Sequence, residues 1–309
     1  MRMVDLVLRA GTCLARGAAV LLAGAALHGA AEAADLAELR RTVDPVAPVD
    51  DPYIITLSAN VAAGPRFPAD RNLTLFGYPA LSFRRASEPE RFTTPDDGFS
   101  ISLLSTPNVS MLGLNEPVVL FGPVVRYQQG RYSGVEGARF TGLRDVRWSL
   151  EPGLFLEIWP VEVLRMRIEA RKAVNGHDGF VGNIGLDYVQ PYERFTFSIG
   201  PRLTLGDDHY TRSYFGVLPF EAALNPRVTP FKADGGLTAV GGLTSLSYRF
   251  NEQWRATGYV GYDRLVYDAE RSPITRNLGS ADQYTVGLRV NYSFAYRGTG
   301  GLLDVLPRF

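Results

Sequence analysis

Cysteine, histidine and net charge are all scarce in this chain, and each scarcity excludes something. The 309 residues hold one cysteine, Cys13. It lies in the segment read below as an export signal, so no intrachain disulfide is expected. There are three histidines, His28, His177 and His209, which leaves little material for Ser–His nucleophilic catalysis. Lys+Arg and Asp+Glu number 32 each, and this neutrality argues against a nucleic-acid partner. No apolar run is long enough for a membrane-crossing helix, and the mean hydropathy is only −0.04. There is no Walker loop. The glycine pairs at 235–236, 241–242 and 300–301 lack a phosphate-loop context, so no cofactor is expected.

The N-terminus has a basic start (Arg2, Arg9, Arg16), an apolar stretch from Ala18 to Leu27, and Ala31-Glu32-Ala33 before Ala34. That order predicts a signal peptide over 1–33, and hence export to the periplasm. Removing it takes away Arg2, Arg9, Arg16, Asp5 and Glu32, leaving 29 basic against 30 acidic residues. Residues 34–52 are polar and rich in Pro and Asp, a composition that builds no core, and are read as a flexible periplasmic leader.

The most informative segment is Tyr284-Thr285-Val286-Gly287-Leu288-Arg289-Val290-Asn291-Tyr292-Ser293-Phe294. Apolar or aromatic residues alternate with small or polar ones, the period of a strand with one dry face and one wet face. Tyrosine at one end and Tyr and Phe at the other match the two aromatic girdles of a transmembrane β-barrel wall. The same alternation recurs over 146–158, 163–173, 180–189 and 194–205, with further strands near 236–250 and 254–267. Links between them alternate short and long, as do the periplasmic turns and extracellular loops of outer-membrane barrels. Four hairpins follow: 117–127 with 146–158, 163–173 with 180–189, 194–205 with 236–250, and 254–267 with 284–294. Strands near 53–62, 73–84 and 98–105 bring the count to eleven. An antiparallel single-chain barrel calls for an even number. The expectation is therefore an all-β antiparallel transmembrane barrel over 53–296 with about twelve strands, with 107–113 as the extra one, or ten if 53–62 is outside the wall. Residues 297–309 read as a loose C-terminal tail.

In such a barrel the charged face is the lumen, which makes Arg147, Arg165, Arg167, Glu169, Arg171 and Arg202 the leading candidates for function, with Glu151 and Glu157 beside them. Mixed signs suit cross-strand ion pairs that fill a narrow barrel; the sharper alternative is a polar path for small anionic solutes. The loop 206–235 carries Tyr210, Tyr214, Phe215 and Phe220, too apolar to stand free in water, and is expected to fold inward or across the mouth as a lid. His177 sits in a Gly-His-Asp-Gly turn without a nameable serine partner. Asp207, Asp208 and His209 read as a solvated acidic turn before they read as a metal site. No catalytic, cofactor or metal residues are assigned, and the chain is read as non-enzymatic; a barrel lipid hydrolase is the remote third option.

Five segments differ from generic barrel wall: Gly64-Pro65-Arg66-Phe67-Pro68-Ala69-Asp70, Gly142-Leu143-Arg144-Asp145-Val146, Gly176-His177-Asp178-Gly179, Arg212-Ser213-Tyr214-Phe215-Gly216-Val217, and Ser272-Pro273-Ile274 followed by Gly279-Ser280-Ala281-Asp282-Gln283. In this order and spacing they resemble the MipA/OmpV family, the MltA-interacting outer-membrane proteins, over roughly 53–294. Residues 68–70 depart from the Gly-Ser-Asp-like turn usual there, and 85–97 and 295–309 look like additions. The resemblance implies a barrel in outer-membrane lipid of a Gram-negative cell. It also implies a scaffold in envelope and murein metabolism, with a murein hydrolase (a lytic transglycosylase) and a murein synthase (a bifunctional penicillin-binding protein) as partners.

Overall fold

The computed structural model describes residues 52–86, 90, 92–101, 104–106 and 118–296. The segments read as signal peptide and tail, nearly all of the leader, and the strand considered at 107–113 lie outside the described residues. The strands are β1 (Tyr53–Gly64), β2 (Thr74–Arg85), β3 (Phe99–Ser100), β4 (Leu104–Thr106), β5 (Val118–Gln128), β6 (Ser149–Val161), β7 (Leu164–Lys172), β8 (Phe180–Tyr192), β9 (Phe195–Gly206), β10 (Gly236–Arg249), β11 (Trp254–Leu265) and β12 (Asp282–Tyr296). They form one antiparallel sheet in the order β2-β1-β12-β11-β10-β9-β8-β7-β6-β5-β3, with β4 also on β5. All four expected hairpins are present as ladders. β1 pairs with β12, Tyr53 opposite Tyr296, and so curls the sheet into a nearly closed barrel.

Every second residue of the wall points outward. Leu154, Leu186, Phe197, Ile199, Leu203, Leu246, Val260, Val286 and Leu288 are exposed on that face. Rings cluster at both margins of this apolar belt. Phe195–Tyr248 and Trp254–Tyr292 (centroids 4.8 Å apart in each pair) mark the end with short turns, and Tyr262–Tyr284 (5.1 Å) and Tyr127–Trp148 (6.0 Å) the end with long loops. Backbone paired in ladders behind an apolar, ring-bordered exterior is the arrangement a bilayer requires of a β protein. The chain is an outer-membrane β-barrel.

The twelve strands occupy eleven places in the wall. β3 and β4 pair with the same strand, β5, on either side of a one-residue slip in register, so they share one place. With eleven places and every ladder antiparallel, the two end strands of the sheet, β2 and β3, run in the same direction. β2 ends at the short-turn end, where Arg85 stands opposite Tyr53. β3 begins near the other end, with Phe99 opposite Val125. The chain between them must climb the height of the barrel, and its described residues, Glu90 and 92–98, climb inside the lumen, among side chains of β5, β7, β9, β11 and β12. The wall thus has an odd number of places, eleven where twelve or ten were expected, and the inner crossing returns the chain without a further wall strand.

Candidate functional site

The lumen face of β6 and β7 presents Glu151, Phe155, Glu157, Arg165, Arg167, Glu169 and Arg171, as the alternation requires, and all are buried. Arg165 donates to Asp187 of β8 (3.2 Å), to Glu157 (2.8 Å) and to Asp97 of the crossing (2.7 Å). Arg167 bonds Glu157 (3.0 Å) and Glu169 (2.9 Å). Arg171 bonds Glu169 (2.6 Å) and Glu151 (3.2 Å). Arg202 of β9 donates to Asp187 (2.8 Å) and to Asp96 (2.7 Å). Each guanidinium meets at least two carboxylates, the fork geometry in which Arg outperforms Lys.

The crossing is built to match these donors. Thr94-Pro95-Asp96-Asp97 is a turn closed by Asp97, which accepts from the Thr94 backbone (2.8 Å) and hydroxyl (2.7 Å). The turn turns its acceptors outward: Arg289 of β12 donates to the carbonyls of Thr94 (3.3 Å) and Pro95 (2.7 Å), Tyr78 of β2 to Pro95 (3.3 Å), and Arg126 of β5 to Asp96. Lower down, Glu90 meets Arg255 (2.8 Å) and the Phe92 ring meets Trp159 edge-on at 6.4 Å.

Arg165, Arg167, Glu169, Arg171 and Arg202 are thus brought into one network. Arg147 is not. It precedes β6, which begins at Ser149, and its side chain is exposed at the long-loop end; the alternation of Val146-Arg147-Trp148 outruns the ladder by three residues. Asp187 and Arg289 lie on the wet faces that the alternation gives their strands but were not among the candidates; Asp96, Asp97 and Arg126 were not foreseen. One signal in the sequence pointed to the crossing: arginines outnumber acids on the lumen face of the wall, and 85–97 supplies acids with no strand period.

Above the network the long loops pack into a second core. Phe67 and Ala69 come from the β1–β2 loop, Phe140, Leu143 and Val146 from the β5–β6 loop. The β9–β10 loop adds Tyr210, Tyr214, Phe215, Val217 and Val228, and the β11–β12 loop adds Ala269, Ile274 and Leu278. The expected lid is therefore one part of a cap made by four loops. In it 206–235 forms helices α1 (Asp208–Phe215) and α2 (Pro219–Leu224); the β11–β12 loop forms α3 (Tyr267–Arg271) and a π-helical turn at Ile274–Leu278. Tyr210, Tyr214 and Phe215 are buried there, while Phe220, the fourth lid residue, is 58% exposed on α2. Asp207 caps α1 by accepting from Tyr210 N (2.9 Å). The Gly235 N–H (2.7 Å) holds the Asp208 carboxyl below its ordinary range.

The five unusual motifs meet in this cap. Arg131 is buried and donates to the Tyr214 carbonyl (2.5 Å) at the end of α1, and burial pushes its pKa down to about 10. Ser272 donates to the Phe215 carbonyl (2.6 Å), and Ser280 N to the Ala69 carbonyl (3.0 Å). Ala69 lies at φ 74, a left-handed conformation that its short side chain tolerates in this departure from the usual turn. At Gly279 a Cβ would stand 2.0 Å from the Ala69 oxygen, so only glycine lets the two loops touch. His177 joins cap to network. Its Nδ1 accepts from Gly179 N (3.1 Å), so Nε2 carries the proton and donates to Glu151 (2.9 Å), and its ring packs against Tyr210 at 5.1 Å.

The family described as MltA-interacting protein MipA matches residues 57–294. A comparison with curated protein sequences finds no match. Solved structures similar to the chain include Neisserial surface protein A, at 10% identity and TM-score 0.24, covering 78% of this chain and 97% of that one. A loop-deleted OmpT, an outer membrane protein of Vibrio cholerae, is similar at 8% identity and TM-score 0.32, covering 79% and 99%. The Pseudomonas putida toluene transporter TodX is similar at 11% identity and TM-score 0.26, covering 78% and 89%. With the matched span running from within β1 to within β12 and so covering nearly all of the barrel, the chain belongs to the MltA-interacting protein MipA family.

Proposed function

We propose that this protein is a non-enzymatic outer-membrane barrel that serves as an interaction platform in envelope and murein metabolism, holding a murein hydrolase and a murein synthase at the inner face of the membrane. One observation carries the reading: the barrel is occupied along its height by its own chain, 92–98, and roofed by a core of four loops. A barrel obstructed by its own chain and roofed at one end is a rigid support rather than an open conduit. The family's description as MltA-interacting protein supports the choice of partner. The surfaces such partners would meet are the short turns at 162–163, 193–194 and 250–253, whose residues are exposed or partly exposed.

The test is capture. Refolded mature protein on a support should retain purified lytic transglycosylase and bifunctional penicillin-binding protein, and replacing 250–253 with a Gly/Ser turn should weaken retention. Failure to retain either enzyme overturns the reading. The rival reading, a channel for small polar or anionic solutes, rests on the arginine-rich wall. Steady planar-bilayer currents altered by substitution of Arg165 or Arg167 would favour it; a folded but silent barrel favours the platform.

A further inference from the structure

β2 has a ladder with β1 on one side and, among the described residues, none on the other. It approaches β3, which runs the same way, without a parallel ladder between them. β2 also carries Pro79, which has no N–H to give a neighbour, a residue tolerated at a sheet edge. Among the described residues the wall therefore has a seam.

A cavity of about 870 Å³ occupies this seam, within the roughly 300–1,000 Å³ of small-molecule sites. Its lining includes residues from both faces of β2. Leu81 and Phe83 share the outward face with Leu57 and Ile55, their partners on β1; Phe76 and Ala80 face the lumen. The cavity thus passes through the wall, from the lipid side to the interior. Its inner part is lined by Arg289 and Asn291 of β12 and by the acids Glu90, Asp96, Asp97 and Glu157, which are paired with Arg255, Arg202 and Arg165. Arg289 donates to two backbone carbonyls, but among the described residues no carboxylate lies within 4.0 Å of it; its Nε and the Asn291 Oδ1 are buried without a partner. This sets it apart from the arginines of the network, each balanced by acids. A cavity that is apolar where it meets lipid, whose acids are held by other arginines and whose Arg289 has no carboxylate among the described residues, suits one kind of occupant.

We propose that the seam binds a single-chain anionic amphiphile drawn from the bilayer, a fatty acid or its like, with the carboxylate on Arg289 and the tail lying along β2 toward the lipid. A carboxylate at that point would supply the acceptors Arg289 lacks, and the tail would cover the apolar edge of the seam. This site is independent of the platform reading: it lies in the wall and needs no protein partner.

The experiment uses refolded mature protein in amphipol, with cis-parinaric acid as a fluorescent probe excited through the protein's tryptophans. Saturable binding is expected, displaced by palmitate but not by butyrate, and less well by uncharged cetyl alcohol. Arg289→Gln should weaken binding about tenfold, the loss of a charge-assisted pair. Ala80→Trp, which fills the cavity, should abolish it in protein that keeps its heat-modifiable mobility. Absence of saturable binding to the wild-type chain overturns the proposal, as does cetyl alcohol competing as well as palmitate. Should Ala80→Trp fail to fold, Arg289→Gln and the two competitors decide; binding unchanged in Arg289→Gln sinks the assigned head-group site.

Discussion

Arg165 on β7 and Asp97 on the inner crossing hold each other at 2.7 Å in the middle of the barrel, where a wall strand meets a segment that has left the wall. Asp97 has Arg167 3.5 Å away as well, and Arg165 has Glu157 and Asp187. Removing one partner of such a buried group costs more than the pair is worth, because the others stay behind unpaired. Arg165→Met should destabilise the barrel by about 3–5 kcal/mol. Asp97→Asn, which keeps its shape and its bonds to Thr94, should cost less. The midpoint of heat-modifiable gel mobility ranks the two; equal midpoints would show that the network contributes little.

Tyr214 separates packing from hydrogen bonding. Its ring is fully buried in the cap, yet among the described residues its hydroxyl is buried without a partner. Tyr214→Phe should therefore be neutral or mildly stabilising. Tyr214→Ala should loosen the cap by about 3–5 kcal/mol, the usual cost of deleting a core aromatic. Trypsin cutting near Arg212 and Arg227 on intact cells reports the cap, and heat-modifiable mobility reports the ladders. We expect Tyr214→Ala to become sensitive to trypsin while still running as a folded barrel.

The same cap should open in alkali. Burial raises the phenol pKa of Tyr210, helped by Glu151, and of Tyr214, helped by Tyr210. An acid whose folded pKa is raised adds stability that is complete below its unfolded value, about 10 for tyrosine, and is lost as pH rises through the folded one. Tyrosinate absorbance should show exposed phenols titrating near pH ~10 and a late fraction appearing only as trypsin sensitivity appears. The late fraction should shrink in Tyr214→Phe.

Gly279→Ala places a methyl group against the Ala69 carbonyl and should separate the β1–β2 and β11–β12 loops. Expected is a trypsin-sensitive cap like that of Tyr214→Ala, without loss of a single apolar side chain.

Conductance should respond to two obstructions in series. Wild-type protein should be silent in planar bilayers. Deletion of 211–231 removes α1, α2 and their aromatics from the roof, leaves the crossing in place, and should give small channels. Adding Asp96→Asn and Asp97→Asn, which unties the crossing from Arg202, Arg165 and Arg167, should enlarge them. Full-size channels from the loop deletion alone would mean that the crossing does not obstruct.

The wall was legible in the sequence because period-2 alternation carries both the strand and its inner face. Arg165, Arg167, Glu169 and Arg171 sit in the lumen for the same reason that Met166 and Ile168 face out. Arg147 shows the limit: alternation outlasts the hydrogen bonds that make a strand, so period alone cannot place its first residue. The crossing was illegible because Thr94, Pro95, Asp96 and Asp97 have no period and pair only with side chains far away in sequence. The cap lay between. Its motifs stood out as unlike wall, but that Phe67, Leu143, Tyr214 and Ile274 share one core is a fact about four loops at once.

The inner crossing also fixes which side of the membrane everything after it faces. Were β2 joined to β3 by a tight hairpin, β3 would start at the short-turn end and run the other way. Each later strand would reverse with it, the loops holding Tyr214 and Ile274 would project from the opposite surface, and β12 could no longer meet β1 antiparallel. Loss of the stretch between β2 and β3 would set β12 parallel to β1, so the antiparallel ladder from Tyr53 to Ala63 would survive only if a strand were gained or lost with it.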